Sequence, residues 1–259
     1  MELDFFVVLF YGLLIGSFLN VVILRLPGKQ DLVMERSHCP KCNKKIYWYE
    51  NIPVISYLFL RGKCSGCKTG ISMRYPFVEL LSGLGTLYIY SRFTPSGDIL
   101  TWSLFIFLCL FFYILICHFF IDIDHQILPD SLNLILLALA LLIMVPRTQY
   151  YYWIYGGLLG FGSTFLITYL FYKFRGKVGL GGGDIKLYGI LGIMLGPIGI
   201  FQNIFLSCML GTVVILSMIG LKKMKSSQPV AFGPSIILVG VFQIYFPRYF
   251  NVLMGLIGQ

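Results

Sequence analysis

The chain has 259 residues, 58% of them hydrophobic and only 12% charged, with a mean hydropathy of +0.82. An ordinary soluble domain is nearer half apolar and a quarter charged, so this composition excludes a normal soluble globule, a disordered tail and a fibrous protein. The net charge of +9 would suggest nucleic acid in a soluble protein; in a membrane protein it reflects basic residues kept on the cytoplasmic side.

A bilayer core of about 30 Å needs roughly 20 apolar residues per helix. Residues 5–24 form the first such run. Residues 1–4 hold Glu2 and Asp4 and no base, unlike the start of a cleaved signal peptide, so a retained span is expected. Residues 25–75 then carry ten Lys/Arg, three acids and four of the seven cysteines, with several Gly/Pro turn signals. Apolar runs follow at 76–91, 99–120, 131–146, 152–172, 185–200, 202–220 and 231–247. The last division but one is set at Gly196-Pro197, because Pro interrupts a helix; a single bent helix is the alternative. The expected fold is an all-α polytopic membrane protein of about eight transmembrane helices, with a zinc-ribbon-like cytoplasmic loop between the first and second. Its parts are a first helix (1–24), a cysteine-bearing loop (25–75) and a seven-helix membrane core (76–259).

The basic residues support this count. With the first helix starting outside, the loops 25–75, 121–130, 173–186 and 221–230 lie inside and hold 17 Lys/Arg. Only Arg92, Arg147 and Arg248 remain outside, the asymmetry that orients membrane proteins. It accounts for the net charge without nucleic acid. The spacings Gly12/Gly16, Gly156/Gly160 and Gly189/Gly192/Gly196 read as close helix packing in lipid.

Cys39-Pro-Lys-Cys42 and Cys64-Ser-Gly-Cys67 are two CxxC pairs separated by 21 residues. Each pair can grip one side of a tetrahedral ion, and together they close its shell, so the metal would be structural zinc. Redox pairs or free thiols are the alternative. Cys109, Cys117 and Cys208 lie in apolar runs as core thiols.

The aspartates carry the second signal. Asp122, Asp124 and Asp130 sit in Asp122-Ile-Asp-His-Gln-Ile-Leu-Pro-Asp130, and Asp184 follows Gly181-Gly-Gly. Acids at a membrane boundary are functional candidates with a partner to be named. Two carboxylates a few Å apart do not both ionise easily: one holds a proton while the other activates water. Glycines before Asp184 let a substrate backbone come close. Singly, each acid could be only a helix cap. Glu79, in Arg74-Tyr-Pro-Phe-Val-Glu79, lies about one turn into the second span; its partner is Arg74 or a backbone N–H, or else a substrate ammonium or a cofactor.

Taken in order, Gly16-Ser-Phe-Leu-Asn-Val-Val-Ile-Leu-Arg-Leu-Pro27, the two CxxC pairs, Asn51-Ile-Pro-Val-Ile-Ser56, Arg74-Tyr-Pro-Phe-Val-Glu79, Asp122 to Asp130, Gly181-Gly-Gly-Asp184 and Phe232-Gly-Pro234 resemble the type IV prepilin peptidases, or leader peptidase/N-methyltransferases. The resemblance implies a GxGD-type aspartic endopeptidase with Asp122 and Asp184 as its catalytic pair. Asp124 is the alternative for the first role, and Gly181, Gly183 and Pro129 support the site. It implies prepilin or pseudopilin substrates: a short basic leader, Gly before the cut, usually Phe after it, then an apolar helix. It also implies N-methylation of the new terminus with S-adenosylmethionine, for which Glu79 and Arg74 are the candidate contacts. The implied setting is the bacterial inner membrane, with the active site facing the cytoplasm and pilus or type II secretion machinery, including competence systems, as possible partners. Two other classes remain open on the residues alone. A transporter would show broken helices with acids near the bilayer midplane, and an assembly scaffold would need its cysteines but not its aspartates.

Overall fold

The fold is that of a computed structural model describing residues 2–32, 37–93, 98–146, 149–177, 179–221 and 230–257. Arg36, Arg147, Lys222, Lys223 and Lys225 of the charge count lie outside the described residues. The chain divides into two compact units, Met1–Cys117 and His118–Gln259. Among the described residues the secondary structure is helical, apart from two isolated antiparallel bridges, His38 with Lys45 and Lys63 with Gly70.

In the first unit, α1 (Glu2–Arg25) packs along α3 (Arg74–Arg92). A Cβ on Gly12 would stand 2.6 Å from Thr86 Oγ1, and one on Gly16 2.7 Å from the Glu79 Cα. Only residues without a side chain allow this approach, so the first glycine pair is the packing device expected of small residues in apolar helices. The buried hydroxyls on α3 are satisfied within it: Ser82 donates to the Val78 carbonyl at 2.8 Å and Thr86 to that of Ser82 at 2.7 Å. The Asn20 side chain donates to the Tyr75 carbonyl at 3.1 Å. Between the two helices lie a 3₁₀ turn (Trp48–Asn51) and the short α2 (Ile55–Phe59). Helix α4 (Ile99–His125) begins in this unit and ends in the second.

The second unit holds α5 (Asp130–Met144), α6 (Tyr150–Arg175), α7 (Gly182–Gly220), α8 (Gly233–Tyr245) and α9 (Pro247–Ile257). Helix α7 is its spine and packs on α5, α6 and α8. A Cβ on Gly156 would stand 2.2 Å from the Gly192 carbonyl oxygen, so α6 and α7 meet backbone to backbone. The helical path of α7 breaks at Gly196 (φ 71, ψ −178), just before Pro197, where the sequence placed the division. Beyond it, Asn203 donates to Gln243 Oε1 at 2.8 Å and Gln243 donates to the Gly199 carbonyl at 2.9 Å. These buried amides fix α8 on α7.

By length and composition, α1, α4, α6 and α7 can each cross a bilayer, and α8 with α9, bent by 106°, would make a fifth crossing. The protein is thus a multi-pass membrane protein, with fewer self-evident spans than the eight apolar runs. The difference is physical. Helix α5 has 15 residues, about 22 Å at 1.5 Å per residue, which is short of the hydrocarbon core. Helix α3 carries Glu79, Ser82 and Thr86 on its buried face, which lowers its hydropathy. The run 231–247 contains a helix, a corner and the start of α9, an element the sequence reading did not foresee.

Candidate active site and candidate metal centre

Asp122 lies in the last turn of α4 and is 5% exposed. Asp184 is the third residue of α7, half-buried, after an extended Gly181. Gly233 opens α8. A Cβ on Gly233 would stand 2.7 Å from Asp122 Oδ2 and 3.5 Å from Asp184 Oδ1. The separation of the two carboxylate oxygens therefore cannot exceed the sum of those distances. Both oxygens are buried and neither has a hydrogen-bond partner. Buried polar atoms are nearly always partnered, so two orphaned acceptors converging on one glycine form a site arranged for a ligand.

The surroundings explain how the chain places them. Helix α4 ends at Gln126 (φ 56), whose amide still donates to the Asp122 carbonyl at 2.8 Å. The chain then turns through Leu128 to Pro129, the N-cap of α5. A Cβ on Gly183 would stand 2.8 Å from Leu128 Cβ, and one on Gly181 3.0 Å from Asp184 Oδ2. The glycines thus let the start of α7 press against the turn that follows Asp122. Asp124 is exposed and Asp130 is exposed; Asp130 pairs with Lys186 at 2.6 Å. Of the four aspartates, the fold brings together Asp122 and Asp184 and leaves the other two outside. Gly233 was the residue that the sequence reading quoted, in Phe232-Gly-Pro234, without giving it a role.

The four cysteine sulfurs of the first unit lie within 4.8 Å of one another. Cys39 and Cys67 Sγ are 3.8 Å apart, and Cys42 and Cys64 Sγ 3.9 Å. A tetrahedron with zinc–sulfur bonds of about 2.3 Å has edges of roughly 3.8 Å, so the donor set fits structural zinc. Each pair sits on the same turn. The Cys39 amide donates to the Lys44 carbonyl at 2.9 Å and the Cys64 amide to that of Thr69 at 2.8 Å. Asn43 (φ 54) and Lys68 (φ 59) hold the left-handed position just after the second cysteine of each pair. The Thr69 hydroxyl beside Cys67 draws its thiol down to about 6, favouring the thiolate that a metal binds. Glu50 ties the two turns together, accepting from Lys44 Nζ at 2.9 Å and Ser65 Oγ at 2.5 Å; hydrogen bonds from Ser65 and Lys44 hold its carboxyl down to about 2. Cys39→Ser is expected to reduce bound zinc from one atom per chain to near none, read by elemental mass spectrometry of purified protein. Undiminished zinc in that variant would refute the four-cysteine site.

Glu79 is 7% exposed and accepts the Val54 amide at 2.8 Å, the backbone N–H partner among the sequence alternatives. It lines a cavity of about 580 Å³ within the first unit. Arg74 is half-buried at the start of α3 and is not part of that wall.

Comparison with known proteins follows the same division. Residues 10–93 match the model of the bacterial peptidase A24 N-terminal domain, and residues 109–216 match the type IV leader peptidase family. The chain is 38% identical to a prepilin leader peptidase/N-methyltransferase of Stutzerimonas stutzeri, covering 88% of this chain and 86% of that one. The chain belongs to the type IV leader peptidase family. Proteins of the same name from Neisseria gonorrhoeae and Pseudomonas aeruginosa are each 35% identical, over 88% of this chain and 86% of theirs. No solved structure matches. In this family member the leader-peptidase match spans both Asp122 and Asp184, and the N-terminal match spans the cysteine cluster and Glu79.

Proposed function

We propose that the chain is a membrane aspartic endopeptidase that removes the basic leader of type IV prepilins or pseudopilins at a Gly-Phe-type junction, and then N-methylates the new terminus using S-adenosylmethionine. The observation that carries the peptidase reading is the pair of orphaned oxygens, Asp122 Oδ2 and Asp184 Oδ1, converging at Gly233. A water held between them loses a proton to the ionised carboxylate as its oxygen attacks the scissile carbonyl. The protonated carboxyl gives its proton to the carbonyl oxygen. The resulting diol collapses as the carboxyl that took the water proton protonates the leaving amine and the other, now ionised, takes a diol hydroxyl proton, and no covalent acyl intermediate forms.

In this reading the site faces the cytoplasm of the bacterial inner membrane within an eight-span arrangement, supported by the excess of Lys/Arg in the loops on that side. Zinc holds the loop that bears the four cysteines, and pilus or secretion assembly machinery receives the product. The test is co-expression with a prepilin bearing a basic leader and a Gly-Phe junction, followed by mass spectrometry of the N-terminus. The wild type is expected to yield a leaderless product heavier by one methyl substitution. An Asp122→Ala/Asp184→Ala chain, present in membranes at wild-type level, is expected to leave the leader in place. Equal processing by both chains would overturn the assignment.

A further inference from the structure

Helix α2 is inside out. Its buried residue is Ser56 and Tyr57 is half-buried, while Ile55, Leu58 and Phe59 are 48%, 67% and 85% exposed. Those three stand at i, i+3 and i+4, so they share one face of the helix. Tyr57 reaches the entry of α3, where its hydroxyl donates to the Met73 sulfur at 2.9 Å. A helix on a water-facing surface turns its polar residues outward; this one presents an apolar face and keeps its hydroxyls in.

The depth of α2 follows from its contacts with α1 and α3. Val54, its N-cap, stands at φ 61, ψ −46, a conformation in which a β-branched residue is a genuine outlier. The Ile55 amide closes a three-residue γ-turn onto the Pro53 carbonyl at 2.6 Å, a rare and strained form. The strained turn aims the Val54 N–H at Glu79 Oε2, 2.8 Å away, and the Ser17 side chain binds the same carboxyl. Ser17 lies eight residues before Arg25, where α1 ends, about 12 Å along the axis at 1.5 Å per residue. Helix α1 is long and apolar enough to cross a bilayer, so the start of α2 is level with hydrocarbon and not with water. Irregular backbone at that depth must have its polar groups satisfied within the protein. Here Glu79 takes the Val54 amide, the Ser56 amide donates to the Ile52 carbonyl at 3.0 Å and the Leu58 amide to that of Val54 at 3.1 Å. The Ser56 hydroxyl donates to the Ile52 carbonyl as well.

We infer that the cysteine-bearing loop is seated in the membrane surface: the Ile55–Leu58–Phe59 face of α2 enters the leaflet in which α1 ends, and the basic residues around it bind anionic phospholipid headgroups. The inference rests on the membrane setting and not on the peptidase or methyltransferase reading. From Ser37 to Met73 the loop holds six Lys/Arg and one acid, Glu50. Glu50 is engaged by Lys44 and Ser65, while Lys41, Lys45, Arg61, Lys63 and Lys68 are exposed. Arg61 and Lys63 follow α2 directly. An apolar helix face with neighbouring bases is held at a bilayer surface by apolar burial and by attraction to anionic lipid together. The 3₁₀ turn that packs on α2 carries Trp48 and Tyr49, both exposed, the residue types that favour the membrane interface. Glu79, by fixing the start of α2, sets the depth of the loop.

The test uses the full chain in lipid nanodiscs with a single tryptophan on the face: Phe59→Trp in a background of Trp48→Phe, Trp102→Phe and Trp153→Phe. Phospholipids brominated near the top of the acyl chain are expected to quench most of its emission, and acrylamide in the water little. Leu58→Trp in the same background is a second reporter with the same expectation. Zinc content and a single elution peak report that each chain is folded. In nanodiscs of mixed phosphatidylglycerol and phosphatidylcholine, native mass spectrometry is expected to find phosphatidylglycerol retained on the chain, and several-fold less of it on an Arg61→Gln/Lys63→Gln chain. Quenching of both folded reporters by acrylamide and not by brominated lipid overturns the inference and leaves the face to a protein partner. Equal phosphatidylglycerol retention by the wild type and the double variant overturns the choice of an anionic leaflet.

Discussion

Asp184→Asn is expected to abolish leader removal while the protein remains folded and inserted. Asn matches Asp in shape, so packing at the start of α7 is preserved. It has no proton to give and no carboxylate to accept one, and a positioned acid or base contributes about 10²–10⁴-fold to rate. Both chemical roles of the pair fail together here, so the loss should reach or exceed the upper end of that range. Stability should hold, because the substitution removes a partly buried charge that faces a second carboxylate across Gly233. Asp124→Asn, at an exposed position, is expected to process prepilin near the wild-type rate. Mass spectrometry of prepilin N-termini and thermal unfolding of each purified variant make the measurement. Normal processing by a stable Asp184→Asn chain would remove Asp184 from the chemistry.

Gly233→Ala should cost nearly as much activity by a different route. The added Cβ would stand 2.7 Å from Asp122 Oδ2, closer than a carbon and an oxygen tolerate. The neighbour that must give is the tip of a side chain, so Asp122 rotates and the fold survives. What is lost is the aim of the carboxylate; a misplacement of about 1 Å can cost on the order of 10²-fold. Gly182→Ala provides the contrast, since a Cβ there meets nothing within 4 Å and Ala is a better helix former than Gly. The expected result is a large fall in kcat for Gly233→Ala at nearly unchanged melting temperature, and near-normal cleavage for Gly182→Ala. Equal rates for all three chains would mean that the glycine does not set the geometry of the pair.

Much of this was legible in the residues because it depends on local spacing. Two CxxC pairs can close one tetrahedron whatever lies between them, and the sulfurs do cluster within 4.8 Å. Gly196-Pro197 announces a break in any helix, and α7 breaks there. The apolar runs located the helices but not their lengths. The last apolar run stops at Pro247-Arg248, where α8 turns into α9; what the run did not disclose is that a further helix, Pro247–Ile257, follows that corner. The choice between Asp122 and Asp124 was open on residue physics, since neighbours two apart differ only in which face they take. Burial of Asp122 and exposure of Asp124 is decided by what packs against the end of α4. Gly233 and Val54 were hidden for the same reason: each matters through a contact with a residue far along the chain, Asp122 for one and Glu79 for the other.

The break in α7 also bears on how the protein is made. The helix has 39 residues, about 58 Å at 1.5 Å per residue, close to two hydrocarbon thicknesses. From Leu187 to Leu221 the sequence holds no charged residue, so during biosynthesis the insertion machinery meets one uninterrupted apolar stretch. In the proposed eight-span arrangement the Gly196 corner is where it folds back as a hairpin, and the lysines at 222, 223 and 225 are charges that would draw its far end to the cytoplasm. In that proposed arrangement, a chain straightened at the corner would give the machinery one over-long helix, and α8, which brings Gly233 to the aspartates, would enter the membrane from the opposite side.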